Sequence, residues 1–182
     1  MLPSSRRRRH ERTAFEIYGA AVRAARRPIL YQPPPAGFGV PDTLDGRFDL
    51  VALHAALLIR RLRAQPEPGP RLAQALFDAM FADMDRSLRE LGVGDLSVPK
   101  KVRRMWEALH GRAMAYEAAL DAADRPALAA ALSRNVWRGA RPAEGEPARL
   151  AAYVELADRS LAAQDLHAML PSFPMLETAA PE

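Results

Sequence analysis

At 182 residues with 49% hydrophobic content, the chain is long enough to bury one sizeable core, and the absence of cysteine removes disulfides, thiol nucleophiles and cysteine zinc sites and fits a reducing compartment. Its formal net charge of +4 is supplied by Arg6 to Arg9 alone, which leaves the remainder near neutral and so speaks against a basic nucleic-acid-binding body. No apolar run reaches the roughly 18 to 20 residues a membrane span needs, and no hydrophobic stretch follows the N-terminal arginines as in a secretory signal.

Residues 1–12 read as a disordered basic tail, either simply solvated or loosely attracted to anionic lipid headgroups or ribosomal RNA. A first helix from Thr13 to Arg26 places Phe15, Ile17, Tyr18, Ala21, Val22 and Ala25 on one side, and Pro28 ends it. Three prolines from Pro33 to Pro35 make Tyr31 to Pro41 an extended connector. The next helix, Asp45 to Arg63, is apolar around most of its circumference and therefore reads as the buried central helix. His54 lies in the middle of its apolar run, where a hydrogen-bonded core histidine is the expectation.

After a Pro/Gly-rich turn from Gln65 to Pro70, a helix from Leu72 to Leu91 sweeps an apolar arc through Leu76, Phe77, Met80, Phe81, Met84 and Leu88. Asp83 falls on the flank of that arc and needs an internal hydrogen bond or ion pair. Gly92 suits a left-handed cap, and Ser97 can cap the following helix with Pro99 in its first turn, so the two helices fold back as a hairpin. Each carries the charge its own dipole disfavours: Asp83, Asp85 and Glu90 near one C-terminus, Lys100, Lys101, Arg103 and Arg104 at the other N-terminus. Such placements cost roughly 0.3 to 1 kcal/mol apiece. Two uses are open: Asp85 and Arg104, at similar heights, neutralise each other across the turn, or the charged end faces a protein partner. The only two lysines of a chain with 26 basic residues are Lys100 and Lys101, where a compact, mobile ammonium is distinct from a guanidinium.

The second hairpin helix runs to about Ala123 with Val98, Val102, Met105, Trp106, Leu109, Ala113, Tyr116 and Leu120 on its apolar face. Gly111 and Met114 fall off that face and can mark a contact site. Asp124 and Pro126 start another helix, Gly139 ends it, and a final helix spans Ala148 to Leu170. Residues 171–182 read as a C-terminal tail. The expectation is an all-α fold, a single compact domain of about six helices over 13–170.

Catalytic constellations are thin. The four histidines, His10, His54, His110 and His167, form no HExxH or i,i+4 pair, and no P-loop or GxGxxG turn follows a strand. Asp83 and Asp85 diverge by about 200° on a helix and cannot converge on one atom. We read no catalytic residue, no metal site and no cofactor.

The run Ala75-Leu76-Phe77-Asp78-Ala79-Met80-Phe81-Ala82-Asp83-Met84-Asp85, continued by Leu88-Arg89-Glu90-Leu91-Gly92-Val93-Gly94-Asp95-Leu96 and by Val98, Lys100, Lys101, Val102 and Met105, resembles the ubiquinol-cytochrome c chaperone family. Pro41-Asp42-Thr43 with Gly46-Arg47-Phe48-Asp49 is similar to an earlier motif of that family, and Gly111-Arg112 with Ala115-Tyr116 to a later one. The resemblance covers Tyr18 to Trp137. The chain departs from the pattern in Leu109-His110 before Gly111-Arg112 and in Pro99 within the basic motif.

This resemblance implies a non-enzymatic assembly factor for respiratory complex III that binds newly made cytochrome b or its nascent chain. A ribosomal site near the exit tunnel and a small partner subunit are further partners it suggests. Asp78, Asp83, Asp85, Arg89, Lys100, Lys101, Arg104 and Arg112 become the candidate partner-binding residues. Arginine-rich usage and the missing apolar face of the N-terminal arginine run favour a bacterial cytoplasmic protein, peripheral at the inner face of the inner membrane. The competing class is a helical nucleic-acid-binding or ribosome-associated protein, motivated by the arginine tail and the Lys100 to Arg104 cluster. It is the weaker reading, since acids interleave with the bases and the tail lacks aromatic stacking platforms; no specific DNA partner is expected.

Overall fold

Side-chain caps open two of the helices in the computed structural model, which describes residues 5–166 and 169–176. The Thr43 hydroxyl accepts from the Gly46 N–H at 3.1 Å and opens helix α2, Leu44–Arg63, while the Asp124 carboxylate accepts from the Ala127 N–H at 2.9 Å and opens α5, Arg125–Val136. Helix α3, Gly69–Glu90, closes on Gly92 at φ +78°. There the Gly92 N–H donates to the Arg89 carbonyl at 2.9 Å and the Val93 N–H to Leu88 at 3.1 Å, the paired bonds of a left-handed cap. Helix α4, Val98–Asp121, follows Ser97, whose side chain makes no capping bond, contrary to expectation; Pro99 in the first turn instead needs no N–H acceptor. Helices α1, Ser5–Ala25, and α6, Glu146–Ala162, complete an all-α set of six among the described residues, with no strand.

Three boundaries differ from the sequence reading. Helix α1 starts at Ser5, not Thr13, because arginine is a good helix former and Arg12 pairs with Glu16 one turn on, at 3.2 Å. Helix α6 stops at Ala162 rather than Leu170, and Gln164 turns its amide onto the Ser172 backbone, accepting from the N–H at 2.8 Å and donating to the carbonyl at 2.8 Å. Residues 171–176 are therefore part of the domain and not a tail: Phe173 and Leu176 are buried, and Arg27 donates to the carbonyls of Phe173 and Pro174. Residues 1–4, 167–168 and 177–182 of the expected tails and final helix lie outside the described residues.

The connector before α2 is tightly folded. A short 3-10 turn, Pro28–Leu30, is followed by a loop that returns on it, the Phe38 and Val40 N–H groups donating to the Ile29 and Leu30 carbonyls at 2.9 and 3.0 Å. A Cβ on Gly37 would meet the Ile29 carbonyl oxygen at 2.3 Å, so only glycine permits this return.

Helices α1, α2 and α3 pack mutually, α5 packs on α4 and α6, and α2 touches each of the other five. From Ala52 to Ile59 every residue of α2 is buried. His54 is fully buried there, its Nδ1 2.7 Å from the Leu50 carbonyl and its Nε2 2.9 Å from the Tyr153 hydroxyl. This is the hydrogen-bonded core histidine expected from the sequence: the Nδ1–H donates to Leu50 and Nε2 accepts from Tyr153. Burial pushes its pKa down to about 4 and that of Tyr153 up to about 12.

Three apolar faces are narrower than the periodicity predicts. Phe15, placed on the apolar side of α1, is 56% exposed, because Ile17, Tyr18, Ala21 and Ala25 centre the buried arc about 120° away from it. Leu91 and Trp106 are exposed at the far end of the α3–α4 hairpin. There the body does not reach: among residues 89–108 only Val98 is buried.

Candidate functional site

Five of the eight candidate residues, Asp85, Arg89, Lys100, Lys101 and Arg104, gather at that hairpin end, but not in the pairing expected. Arg89 occupies the position foreseen for Arg104: its guanidinium bonds Asp85 at 2.7 Å from the preceding turn of α3 and also reaches Asp95 in the loop. Asp85 is thus neutralised within its own helix, where an i,i+4 partner is closer than anything across the turn. Among the described residues, Lys100, Lys101 and Arg104 form no ion pair or side-chain hydrogen bond. Three cations without partners therefore stand on the first two turns of α4, beside Leu91 and the 98% exposed Leu96.

The other three candidates lie elsewhere on the domain. Asp83 accepts a hydrogen bond from the Tyr18 hydroxyl at 2.9 Å, the internal partner its flank position demanded, and burial together with this bond pushes the Tyr18 pKa up. Asp78 is exposed and accepts from the Gln74 amide at 2.9 Å. Arg112 is turned inward from α4 onto Asp49 of α2, with 18% of its side chain exposed.

Asp49 is the residue that sequence reasoning passed over. Arg138, just past α5, bonds it through Nε and through Nη2, the latter at 2.7 Å, and also reaches Asp45 at 3.1 Å. Desolvation pushes the Asp49 carboxyl up, opposed by hydrogen bonds and charge from both guanidiniums. The signal was present: an acid inside an otherwise apolar helix needs cationic partners, and Arg112 and Arg138 were in the chain to supply them.

Toward the body, an apolar groove opens between α2, α3 and α4. Ile59 forms its floor, Phe77 and Met80 one wall, and Leu109, Ala113 and Met114 the other, with Arg63, His110 and Glu117 on the rim. Met114 is 58% exposed, and Gly111 beside it has nothing within 4 Å of where a Cβ would stand. Trp106 stacks on His110 one turn away, their rings 3° from parallel and 5.5 Å apart. Cations without partners, exposed leucines and an apolar groove make a surface suited to recognition by contact. Among the described residues, no cluster of His, Asp and Glu is arranged to hold a metal ion.

This arrangement has counterparts. The chain is similar to a solved structure, that of the Cbp3 homolog from Brucella abortus, at 38% identity and a TM-score of 0.76, over 87% of this chain and 85% of that one. The family model described as ubiquinol-cytochrome C chaperone matches residues 36–172. The chain belongs to the ubiquinol-cytochrome c chaperone family. Membership places it among chaperones and assembly factors rather than enzymes. It is also 26% identical over 97 residues to the ubiquinol-cytochrome-c reductase complex assembly factor 1 of Xenopus laevis, and it spans about half the length of that relative, 48%. The matched family region contains α2 to α6, so the hairpin end, the groove and the Asp49 cluster all lie within it.

Proposed function

We propose that this protein is an assembly chaperone for ubiquinol-cytochrome c reductase that holds newly made cytochrome b through the α3–α4 hairpin end and the adjoining groove. The observation that carries the reading is the unsatisfied character of this region: Lys100, Lys101 and Arg104 without partners beside exposed Leu91 and Leu96. A client with an apolar helix and acidic or carbonyl groups at its end fits that combination. The Brucella abortus likeness and the name of the Xenopus laevis relative support the same assembly role. Since cytochrome b is a membrane protein, the chaperone works at the inner face of the bacterial inner membrane; no helix among the described residues is long and apolar enough to cross a membrane. Ribosomal association and a small partner subunit belong to the same proposal.

The test is co-purification. Lys100→Glu with Lys101→Glu abolishes capture of cytochrome b from native membranes while leaving helical circular dichroism and melting temperature near wild type. Retained capture at physiological salt overturns the assignment of this surface.

A further inference from the structure

Helix α1 carries a basic face that the client surface does not use. Arg8, Arg12, Phe15, Gly19 and Arg23 follow one another at spacings of three and four, and Arg26 continues the series. The Arg26 N–H still donates to the Val22 carbonyl at 3.1 Å, so the helical course extends to it. Eighteen residues are about five turns, so Arg8 and Arg26 point the same way, roughly 27 Å apart. Every member except Gly19 is exposed, and Gly19 leaves room for the Arg23 guanidinium, 3.3 Å from the position of its missing Cβ. The stripe runs into a hollow lined by Arg26, Tyr31, Gln32 and Arg47, with Asp42 held by Arg47 on its edge.

We propose that this face of α1 is a docking surface for an anionic phospholipid membrane, with Phe15 entering the headgroup layer and the arginines on its phosphates. Charge complementarity commits it to an anionic surface: the row itself holds no acid, Glu11 and Glu16 stand on its two borders, Glu16 pairs with Arg12, and Asp42 at the end hollow is held by Arg47. A straight row fits a plane, and an exposed phenylalanine flanked by guanidiniums gains from an apolar boundary. RNA is less well matched, because Phe15 is the single aromatic in the row and offers no run of stacking platforms. No acid stands in the first turn of α1, so the arginines at that positive helix end are retained against the dipole.

This inference rests on the proposed work at a membrane surface, and its test is independent of client capture. Purified full-length protein is sedimented with vesicles of phosphatidylcholine alone and of phosphatidylcholine mixed with phosphatidylglycerol, at low and high salt. Binding is expected only to the anionic vesicles, weakening with salt. Arg8→Glu, Arg12→Glu and Arg26→Glu together should lower it by more than about tenfold, at roughly 1 kcal/mol per basic residue near the surface. Phe15→Ala should lower the part that survives high salt. If the charge-reversed protein fails to fold, the corresponding glutamine variant gives the same reading. Equal binding to neutral vesicles, undiminished binding by the triple variant, or binding to RNA without binding to anionic vesicles each overturns the proposal. Vesicle binding that persists in Lys100→Glu/Lys101→Glu while client capture is lost supports both readings; lost vesicle binding with retained capture faults the lipid face alone.

Discussion

Arg112 and Asp49 form an ion pair between the middle of α4 and the second turn of α2, and both side chains are largely withdrawn from solvent. The pair gives the Gly111-Arg112 motif a structural part: its arginine anchors α4 to α2. Arg112→Ala leaves Asp49 with Arg138 alone and should destabilise the domain by about 1.5 to 3 kcal/mol, the range for hydrogen bonds to a charged group. Urea denaturation checks this. Arg112→Lys should recover only part of the loss, since an ammonium lacks the planar fork.

The buried His54 predicts an acid-sensitive fold. Its pKa lies at about 4 against an ordinary value of 6.5, so the unfolded chain binds the extra proton first. The sign follows: stability is full above pH 6.5 and falls as pH drops toward 4, by up to about 3 kcal/mol. Unfolding midpoints measured across that window should show the slope in the wild type. His54→Leu should flatten it.

Two glycines should respond oppositely to alanine. Gly111 lies inside α4 with open space where a Cβ would go, so Gly111→Ala should stabilise by about 0.5 to 1 kcal/mol. Gly37→Ala would drive a methyl onto two carbonyl oxygens and should destabilise clearly. Thermal melts separate them. If the bare backbone at Gly111 is a client contact, the stabilised variant will also capture less cytochrome b.

A double-mutant cycle distinguishes the pairing found from the pairing expected. Asp85→Lys with Arg104→Glu should be additive to within about 0.3 kcal/mol, because the two side chains do not meet. Asp85→Ala with Arg89→Ala should show a small favourable coupling, below about 1 kcal/mol for an exposed pair.

Helix number, the buried run of α2, the hydrogen-bonded His54 and the internal partner of Asp83 were all legible in the sequence. Each follows from periodicity or from the cost of burying a polar group. What was not legible depended on competition between partners. Asp85 could be placed near Arg104, but nothing in the spacing said that Arg89 would take it first. The inward turn of Arg112 required knowing that α4 passes Asp49, a tertiary fact. Phe173 and Leu176 sit in a proline-bounded stretch with no periodicity, and their burial comes from Arg27 and Gln164, distant in sequence, binding that backbone.

The strap at 171–176 bears on where this domain can be cut. Phe173 packs edge-on against the His54 ring, centroids 4.9 Å apart, and so roofs the polar centre of α2. A fragment trimmed to residues 36–172, the span that the family model matches, would stop one residue short of that ring and would also discard α1, with Tyr18 and its bond to Asp83. Such a fragment retains the whole span that the family model matches, yet it would let water onto a histidine that the longer chain keeps neutral. The recognisable sequence and the foldable unit have different edges.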